Sequence, residues 1–318
     1  MEIEIVKSIQ TLRNPFFDWF FSLITYLGDE MFFIVVAVII FWCVNKRFGY
    51  KLINVYLLGS ACIEGLKALV AHPRPYTHDG IVSVGKKTSG YSFPSGHSHS
   101  IANLSTQVAN NFRIKWTYFV FSAIVLLVMF SRMYLGQHYL SDVIVGMALG
   151  IGFAFAFSFL FELLGDKEEY AVIGILPLCV IIAIVLWALG VSGGAYKVLG
   201  AYGAISIGYY IEKKYIKLNV KAKWYIQIIK VAIGLALTLG VKEGLKLILP
   251  ADIPMLYSFF RYFMVGAVAS AGACGLFKLC RFYDDSESVQ VESEEISTFI
   301  EVGENGVPCD ETNTADHE

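Results

Sequence analysis

Residues 131–142 read SRMYLGQHYLSD. They include the end of one long apolar run, 117–134, and the start of the next, 140–164. Each run approaches the roughly 20 residues that a helix needs to cross a bilayer. Arg132 therefore falls at the end of one predicted span, while His138 and Asp142 fall at the start of the next. Residues four apart share one face of a helix, so His138 and Asp142 are predicted to meet.

Further apolar runs on both sides of this stretch predict a bundle of membrane-spanning helices. The composition agrees, because 56% of the residues are hydrophobic and only 16% are charged, whereas about a quarter are charged in soluble domains. The third run is short and polar, so it should lie in the interior of the bundle. The sequence predicts an all-α, polytopic fold with nine spans, at about 31–44, 51–71, 98–111, 117–134, 140–164, 170–190, 196–212, 224–249 and 256–279.

The two ends of the chain differ from this bundle. Aromatic and polar residues alternate over 5–28, a pattern typical of an amphipathic helix in the membrane interface. After Arg281 there are 12 acidic residues and no Lys or Arg, a composition typical of disorder. We therefore divide the chain into an N-terminal interfacial helix (1–30), a membrane core that carries the motifs (31–165), additional transmembrane helices (166–281) and an acidic, disordered cytoplasmic tail (282–318).

Basic residues predict the orientation of the bundle, because cytoplasmic loops are enriched in Lys and Arg. One set of loops holds thirteen cations: Lys46, Arg47, Lys51, Arg113, Lys115, Lys167, Lys213, Lys214, Lys217, Lys221, Lys223, Lys278 and Arg281. The alternate loops hold five outside the motifs: Lys7, Arg13, Lys86, Lys87 and Lys197. We expect the first set and the C-terminus in the cytoplasm and residues 131–142 at the exoplasmic face, in a bacterial plasma membrane.

Two more polar clusters fall at the same predicted face. They are KALVAHPRP at 67–75 and PSGH at 94–97, just before the polar third run. Three converging cations can neutralise phosphate oxygens, and the N–H groups at a helix start form an anion site. The pattern predicts a phosphate held by Lys67, Arg74, Ser95, Gly96 and Arg132.

The two histidines predict how such a phosphate would react. Asp142 would accept one N–H of His138, which leaves the other ring nitrogen free to attack phosphorus. His97 is then available to protonate the leaving group and afterwards to activate water. A single His or Arg at a membrane end is commonly structural, so the prediction depends on the joint occurrence of all three clusters.

Neither a metal centre nor a disulfide framework is indicated. The six cysteines form no CxxC pair, and four of them fall inside apolar runs. We expect no metal ion, no other cofactor and no nucleic-acid partner. The oligomeric state is left open.

The three clusters closely resemble the signature of the type 2 phosphatidic acid phosphatase superfamily, which comprises membrane lipid phosphate phosphatases. That signature is Lys-x6-Arg-Pro, Pro-Ser-Gly-His and Ser-Arg-x5-His-x3-Asp, and residues 67–142 match it without a departure. The resemblance covers about residues 50–165. It implies a six-helix core, with about three further spans here, and metal-independent hydrolysis through a phosphohistidine. It also implies His138 as nucleophile, Asp142 as its orienting partner, His97 as acid, and phosphate binding by Lys67, Arg74, Ser95, Gly96 and Arg132.

The resemblance implies membrane lipids as partners and a phospholipid or polyprenyl phosphate as substrate. Phosphatidate, phosphatidylglycerol phosphate and polyprenyl pyrophosphate are the classes considered. A lipid phosphotransferase with the same histidine intermediate is the alternative. A vanadate-dependent haloperoxidase and a transporter or scaffold with a silent site also stay open, although the membrane spans argue against the former and the complete set of site residues against the latter.

One short repeat has no assigned task. Glu243-Gly-Leu-Lys246, near the end of the eighth run, repeats Glu64-Gly-Leu-Lys67 at the end of the second. Chance explains a four-residue match better than internal duplication does. Both copies map to the exoplasmic boundary, where headgroup recognition and simple ion pairing three residues apart are both open readings.

Overall fold

The computed structural model describes residues 2–85, 87–188, 195–248 and 254–284, and within these ranges the chain is helical without a β-strand. The α-helices are α1 (Glu2–Gln10), α2 (Pro15–Ile24), α3 (Glu30–Cys43), α4 (Lys46–Val70), α5 (Gly96–Phe112), α6 (Lys115–Tyr134), α7 (Leu140–Leu164), α8 (Val172–Ala188), α9 (Ala195–Ile211), α10 (Trp224–Ile248), α11 (Pro254–Ala267) and α12 (Ala273–Leu279). A π-helical segment, Val268–Gly272, joins α11 to α12. The predicted all-α fold is confirmed. Most of the acidic tail, residues 285–318, lies outside the described ranges.

Fewer helices than the nine predicted have the length and hydropathy of a membrane span. In the described ranges five qualify: α4, α6, α7, α10 and the segment Leu256–Leu279. A sixth is added if α2 and α3, which meet at 48°, count as one broken span. The other predicted spans are helices of 14 to 17 residues, namely α3, α5, α8 and α9.

The N-terminal segment is two helices rather than the single helix predicted over 5–28. The chain turns between α1 and α2, where Asn14 caps α2 by accepting a hydrogen bond from the Phe17 N–H (2.9 Å). Pro15 follows at the first helical position, which suits proline because that N–H has no intrahelical acceptor. The Asp18 carboxylate accepts a hydrogen bond from the Tyr134 hydroxyl (2.7 Å), which ties α2 to α6.

Helix α5 lies at the centre of the bundle, packed against α4, α6 and α7. Six of its polar side chains are buried: Ser98, His99, Ser100, Asn103, Ser105 and Gln107. Asn103 and Gln107 bond to each other (2.6 Å), and the Asn103 amide donates to the Gly150 carbonyl on α7 (3.3 Å). The sequence prediction of a central polar helix agrees with this packing.

Two glycines allow α7 to approach α5 closely. A Cβ atom at Gly146 would overlap the Ser95 carbonyl oxygen, and one at Gly150 would lie 2.5 Å from the His99 carbonyl oxygen. Both obstacles are backbone atoms, which cannot move aside as a flexible side chain can. The start of α5 is therefore held against α7 at a distance that only glycine permits.

Gly146→Ala is expected to destabilise the bundle by about 1–3 kcal/mol, because the added methyl group overpacks the α5–α7 contact. Gly152→Ala on the same helix is the matched control, since a Cβ there meets nothing within 4 Å. Alanine is the better helix former, so the control should raise the apparent melting temperature in detergent while Gly146→Ala lowers it. Equal shifts in both variants would contradict the proposed close contact.

The opposite end of the bundle joins the core to the later helices. Lys46, at the start of α4, pairs with Glu212 just after α9 (2.7 Å), and Arg47 pairs with Asp166 after α7 (3.2 Å). Near the same end, the indole of Trp42, in the last turn of α3, donates to the Ala269 carbonyl (2.8 Å). The motif-bearing core and the C-terminal helices therefore pack as one bundle, with the motifs at the end away from these ion pairs.

Candidate active site

The three motif clusters meet at one end of the bundle. Each predicted site residue falls at a helix end or in a connection: Lys67 in the last turn of α4, Arg74 in the α4–α5 loop, Ser95, Gly96 and His97 at the start of α5, Arg132 in the last turn of α6, His138 in the α6–α7 turn, and Asp142 in the first turn of α7. Arg74, Ser95, Arg132, His138 and Asp142 are all buried.

The start of α5 presents backbone donors beside a cation. Ser95 is the N-cap residue, and its own N–H donates to the Asp142 carbonyl (2.9 Å), which joins α5 to α7. A Cβ at Gly96 would lie 3.8 Å from Lys67 Nζ, so the ammonium group is next to the helix start. The first N–H groups of a helix have no intrahelical acceptor, and this geometry suits an anion.

His138 lies in a turn rather than on a helix, which differs from the sequence prediction. Helix α6 ends at Tyr134, and Gly136 then adopts a left-handed φ of 69° before α7 begins. Asp142 reaches back from α7, where its Oδ2 accepts the Tyr139 N–H (2.8 Å) and lies 3.3 Å from His138 Nδ1. The predicted contact is present, but it results from helix capping and not from a shared helix face.

Arg74 determines which nitrogen of His138 carries the proton. Arg74 Nη1 lies 3.3 Å from His138 Nε2. Because a guanidinium group can only donate, Nε2 accepts and the ring proton is on Nδ1, facing Asp142. The lone pair is then on Nε2, the nitrogen turned away from the carboxylate, as a nucleophilic histidine requires.

Arg74 uses all five of its N–H groups within the protein. Besides His138 Nε2, it donates to four backbone carbonyls: those of Ser89 (3.2 Å), Gly90 (2.9 Å), Tyr91 (3.0 Å) and Gln137 (3.1 Å). The side chain thus fastens residues 89–91 to the turn that carries His138. Direct phosphate binding by Arg74, as the sequence predicts, would require it to exchange one of these bonds.

The other two cations are less fully engaged. Arg132 donates to the hydroxyls of Thr25 (3.0 Å) and Thr88 (3.4 Å), while its buried Nε has no hydrogen-bond partner among the described residues. Lys67 pairs with Glu64 (2.7 Å). Both side chains therefore keep donors that an anion at the start of α5 can take.

The environment of His138 favours its neutral form. Burial lowers the pKa of His138 well below its ordinary value of 6.5, and the charges of Arg132, Arg74 and Lys67 lower it further. A depressed pKa means that the neutral ring persists as the pH falls through 6.5. His138 therefore retains its lone pair at neutral and mildly acidic pH.

His97 lies beside the same cations with its ring free. Burial lowers the pKa of His97 well below its ordinary value of 6.5, and the charges of Arg132, His138, Lys67 and Arg74 lower it further, so a negative charge is needed beside the ring to stabilise its protonated form. No hydrogen bond to the His97 ring is present in the described part of the chain, and its backbone packs closely against Gly28. The ring is available for proton transfer to a bound ligand.

Sequence reasoning missed Ser92. Its buried hydroxyl donates a short hydrogen bond to Asp142 Oδ2 and lies 3.4 Å from His138 Nδ1. Ser92 thereby fixes the carboxylate that orients the histidine. The one sequence feature that pointed to Ser92 is its position two residues before PSGH. No sequence feature near Thr25 indicates that its hydroxyl accepts a hydrogen bond from Arg132.

The site contains no evident metal ligand set. In the described ranges, no group of three or more His, Cys, Asp or Glu side chains is placed to hold a metal ion. What the site does offer is three cations, a helix start and two histidines around one point.

Family models match most of the bundle. The description "PAP2 superfamily" applies to residues 48–166, and "PAP2 superfamily phosphatase, transmembrane extension" to residues 196–285. The chain belongs to the PAP2 superfamily. The first match contains all three motif clusters, and the second covers α9 to α12 among the additional helices. Together with the candidate spans, the extension makes this a multi-pass membrane protein.

Curated relatives carry the names of lipid phosphatases. A probable sphingosine-1-phosphate phosphatase of Dictyostelium discoideum is 32% identical over 46% of this chain and 39% of its own length. A lipid A 4'-phosphatase of Porphyromonas gingivalis is 26% identical over 47% and 68%. Phosphatidylglycerophosphatase B of Bacillus subtilis is 28% identical over 46% and 76%. The chain thus matches well under half of the length of the Dictyostelium relative.

Two solved structures are similar. The transmembrane PAP2-type phosphatidylglycerolphosphate phosphatase from Bacillus subtilis aligns with a TM-score of 0.44 and 26% identity, over 52% of this chain and 86% of its own. LpxE from Aquifex aeolicus aligns with a TM-score of 0.45 and 23% identity, over 49% and 93%.

Proposed function

We propose that this protein is a membrane phosphatase that hydrolyses lipid phosphate monoesters or pyrophosphates through a phosphohistidine. The observation that carries the proposal is the His138–Asp142 pair, in which Arg74 keeps the lone pair on Nε2. A neutral, oriented imidazole beside a helix start and three cations has the geometry of nucleophilic phosphoryl transfer.

Binding of the phosphate precedes attack. The N–H groups at the start of α5, together with Lys67 and Arg132, hold the phosphoryl oxygens. Arg74 contributes its charge and exchanges its hydrogen bond to Nε2 for one to the phosphate, which releases the lone pair. Charge neutralisation in a buried site stabilises the transition state more than it would in water.

The phosphoryl group is then transferred in two steps, first to His138 and then to water. The negative charge of the bound phosphate offsets the three cations, so His97 takes up a proton when the phosphate binds. His138 Nε2 then forms a bond to phosphorus while the bond from phosphorus to the lipid oxygen breaks, and the protonated His97 donates its proton to that oxygen. Water next attacks phosphorus and gives a proton back to His97, which releases inorganic phosphate and restores His138. Asp142 stabilises the positive charge that His138 carries in the intermediate.

A lipid substrate at the exoplasmic face fits these features best. The site lies at the ends of membrane-spanning helices, where a lipid headgroup is found, and the curated relatives are named for sphingosine 1-phosphate, lipid A and phosphatidylglycerophosphate. The excess of Lys and Arg at the opposite end supports an exoplasmic site. The substrate classes proposed are phosphatidate, phosphatidylglycerol phosphate, polyprenyl pyrophosphate and sphingoid base phosphates.

Phosphate release by the detergent-purified full chain tests the proposal. The panel contains phosphatidate, phosphatidylglycerol phosphate, undecaprenyl pyrophosphate and sphingosine 1-phosphate, each with excess EDTA. We expect EDTA-resistant phosphate release from at least one lipid. The ranking of the four lipids by their rate of phosphate release defines the substrate class. Release from no lipid, or release that EDTA abolishes, would contradict the proposal.

A further inference from the structure

The phosphate-site lysine has a carboxylate partner that the mechanism does not use. Glu64 lies one helical turn before Lys67 on α4, and its Oε1 is 2.7 Å from Lys67 Nζ. The Glu64 side chain is 46% exposed, whereas that of Lys67 is 19% exposed. Glu64 is therefore the more exposed member of the pair, and its carboxylate is accessible to a ligand that contacts Lys67.

A bound phosphate must share Lys67 with this carboxylate. The ammonium group is close to the start of α5, where the phosphate is proposed to bind. With charge-assisted bonds of about 2.8 Å to two different N–H groups of Nζ, the Glu64 carboxylate would lie about 4.5–5.5 Å from a phosphate oxygen. Two like charges at that distance repel each other, so Glu64 disfavours a phosphate substrate that carries no positive charge of its own.

A substrate with its own cation removes this conflict. An ammonium group on the carbon next to the phosphate-bearing carbon lies within reach of Glu64 while the phosphate contacts Lys67. The ion pair between Lys67 and Glu64 is then replaced by two ion pairs, one between Lys67 and the phosphate and one between Glu64 and the ammonium group. A neutral hydroxyl or amide at that position gives no such replacement.

We propose that Glu64 is a specificity residue that selects lipid phosphates with an ammonium group beside the phosphate ester. This inference deepens the proposed function and rests on it. It also gives a task to the first copy of the Glu-Gly-Leu-Lys repeat.

The second copy of the repeat supplies a matched control. Glu243 and Lys246 have the same spacing near the end of α10, with a separation of 3.9 Å, and Glu243 also lies 3.8 Å from Arg261. Both side chains of that pair are about three-fifths exposed. Neither residue belongs to the proposed phosphate site, so Glu243→Gln removes an equivalent surface charge without altering the site.

The test compares two substrates that differ in charge at one nitrogen: sphingosine 1-phosphate and its N-acetylated derivative, whose amide is neutral. For the full chain in detergent, we expect a higher kcat/KM for the amine. Glu64→Gln should lower the ratio of the two kcat/KM values about tenfold, mainly by improving hydrolysis of the amide. Glu64→Asp should keep part of the preference, and Glu243→Gln should keep all of it.

The outcomes separate this inference from the proposed function. An unchanged ratio in Glu64→Gln, with both lipids hydrolysed, would overturn the role of Glu64 and leave the phosphatase proposal intact. So would an equal change in Glu243→Gln, or hydrolysis of phosphatidate but not of sphingosine 1-phosphate. If no lipid of the panel releases phosphate, the proposed function and the inference fall together.

Discussion

Replacing His138 by alanine is expected to lower kcat/KM for every lipid phosphate by at least about 10⁴-fold. The reason is geometric. Arg74 holds the lone pair of His138 on Nε2 and Asp142 faces the proton on Nδ1, and no other imidazole in the described site has such a pair of neighbours. Arg74, Lys67 and the start of α5 would still bind phosphate, so the loss should appear in kcat more than in KM. Single-turnover and steady-state phosphate release measure the two separately.

A histidine elsewhere in the same region controls for general effects of the substitution. His78, in the α4–α5 loop, contacts the Tyr139 ring edge-on (6.5 Å) and belongs to no step of the mechanism. His78→Ala should retain activity within a few-fold. Rapid quenching in alkali with a ³²P-labelled substrate should trap label on the wild-type chain and not on His138→Ala, because phosphohistidine survives base. Substantial turnover by His138→Ala would remove His138 from the role of nucleophile.

The sequence predicted the parts of the site that are local in the chain. PSGH at 94–97 specified a capped helix start, and the structure places Ser95 as the N-cap of α5. The polar third run predicted a central helix, and α5 is buried by α4, α6 and α7. These predictions succeeded because capping and burial patterns depend on neighbouring residues.

Two errors came from signals that the sequence already contained. Gly136 is placed to end one helix in the left-handed conformation, and Asp142 is placed to cap the next, so His138 had to lie between them. Asn14-Pro15 is likewise the usual sequence of a helix start, which explains why the N-terminal segment is two helices. In both cases the residues that end and begin helices override the apolar pattern.

Other contacts could not have been predicted, because they join distant parts of the chain. Ser92 and Asp142 are 50 residues apart, and Arg132 and Thr25 are 107 apart. The saturation of Arg74 by backbone carbonyls depends on the path of residues 89–91, which the sequence pattern does not determine. Arg74 is predicted to bind phosphate, and its contact with His138 Nε2 adds a second role in positioning the nucleophile, which only the folded loop reveals.

His97→Ala is expected to reduce hydrolysis of alkyl phosphates by about 10²–10⁴-fold and that of aryl phosphates much less. An alkoxide is a poor leaving group unless it is protonated, whereas a nitrophenolate leaves readily without a proton. The ring of His97 is near His138 and the three cations, and it makes no hydrogen bond in the described part of the chain that would occupy it. The measurement is kcat/KM for a short-chain phosphatidate and for p-nitrophenyl phosphate in the same detergent.

The ratio of the two losses is more informative than either loss alone. If His97 only supported the fold of α5, or only helped to bind phosphate, both substrates would lose the same factor. His97→Gln keeps hydrogen-bonding capacity without proton transfer, so it should behave like His97→Ala toward alkyl esters. Equal losses for both esters would leave the His138 nucleophile standing and would require another proton donor for the departing lipid, since no mechanism expels an alkoxide from this buried site without one.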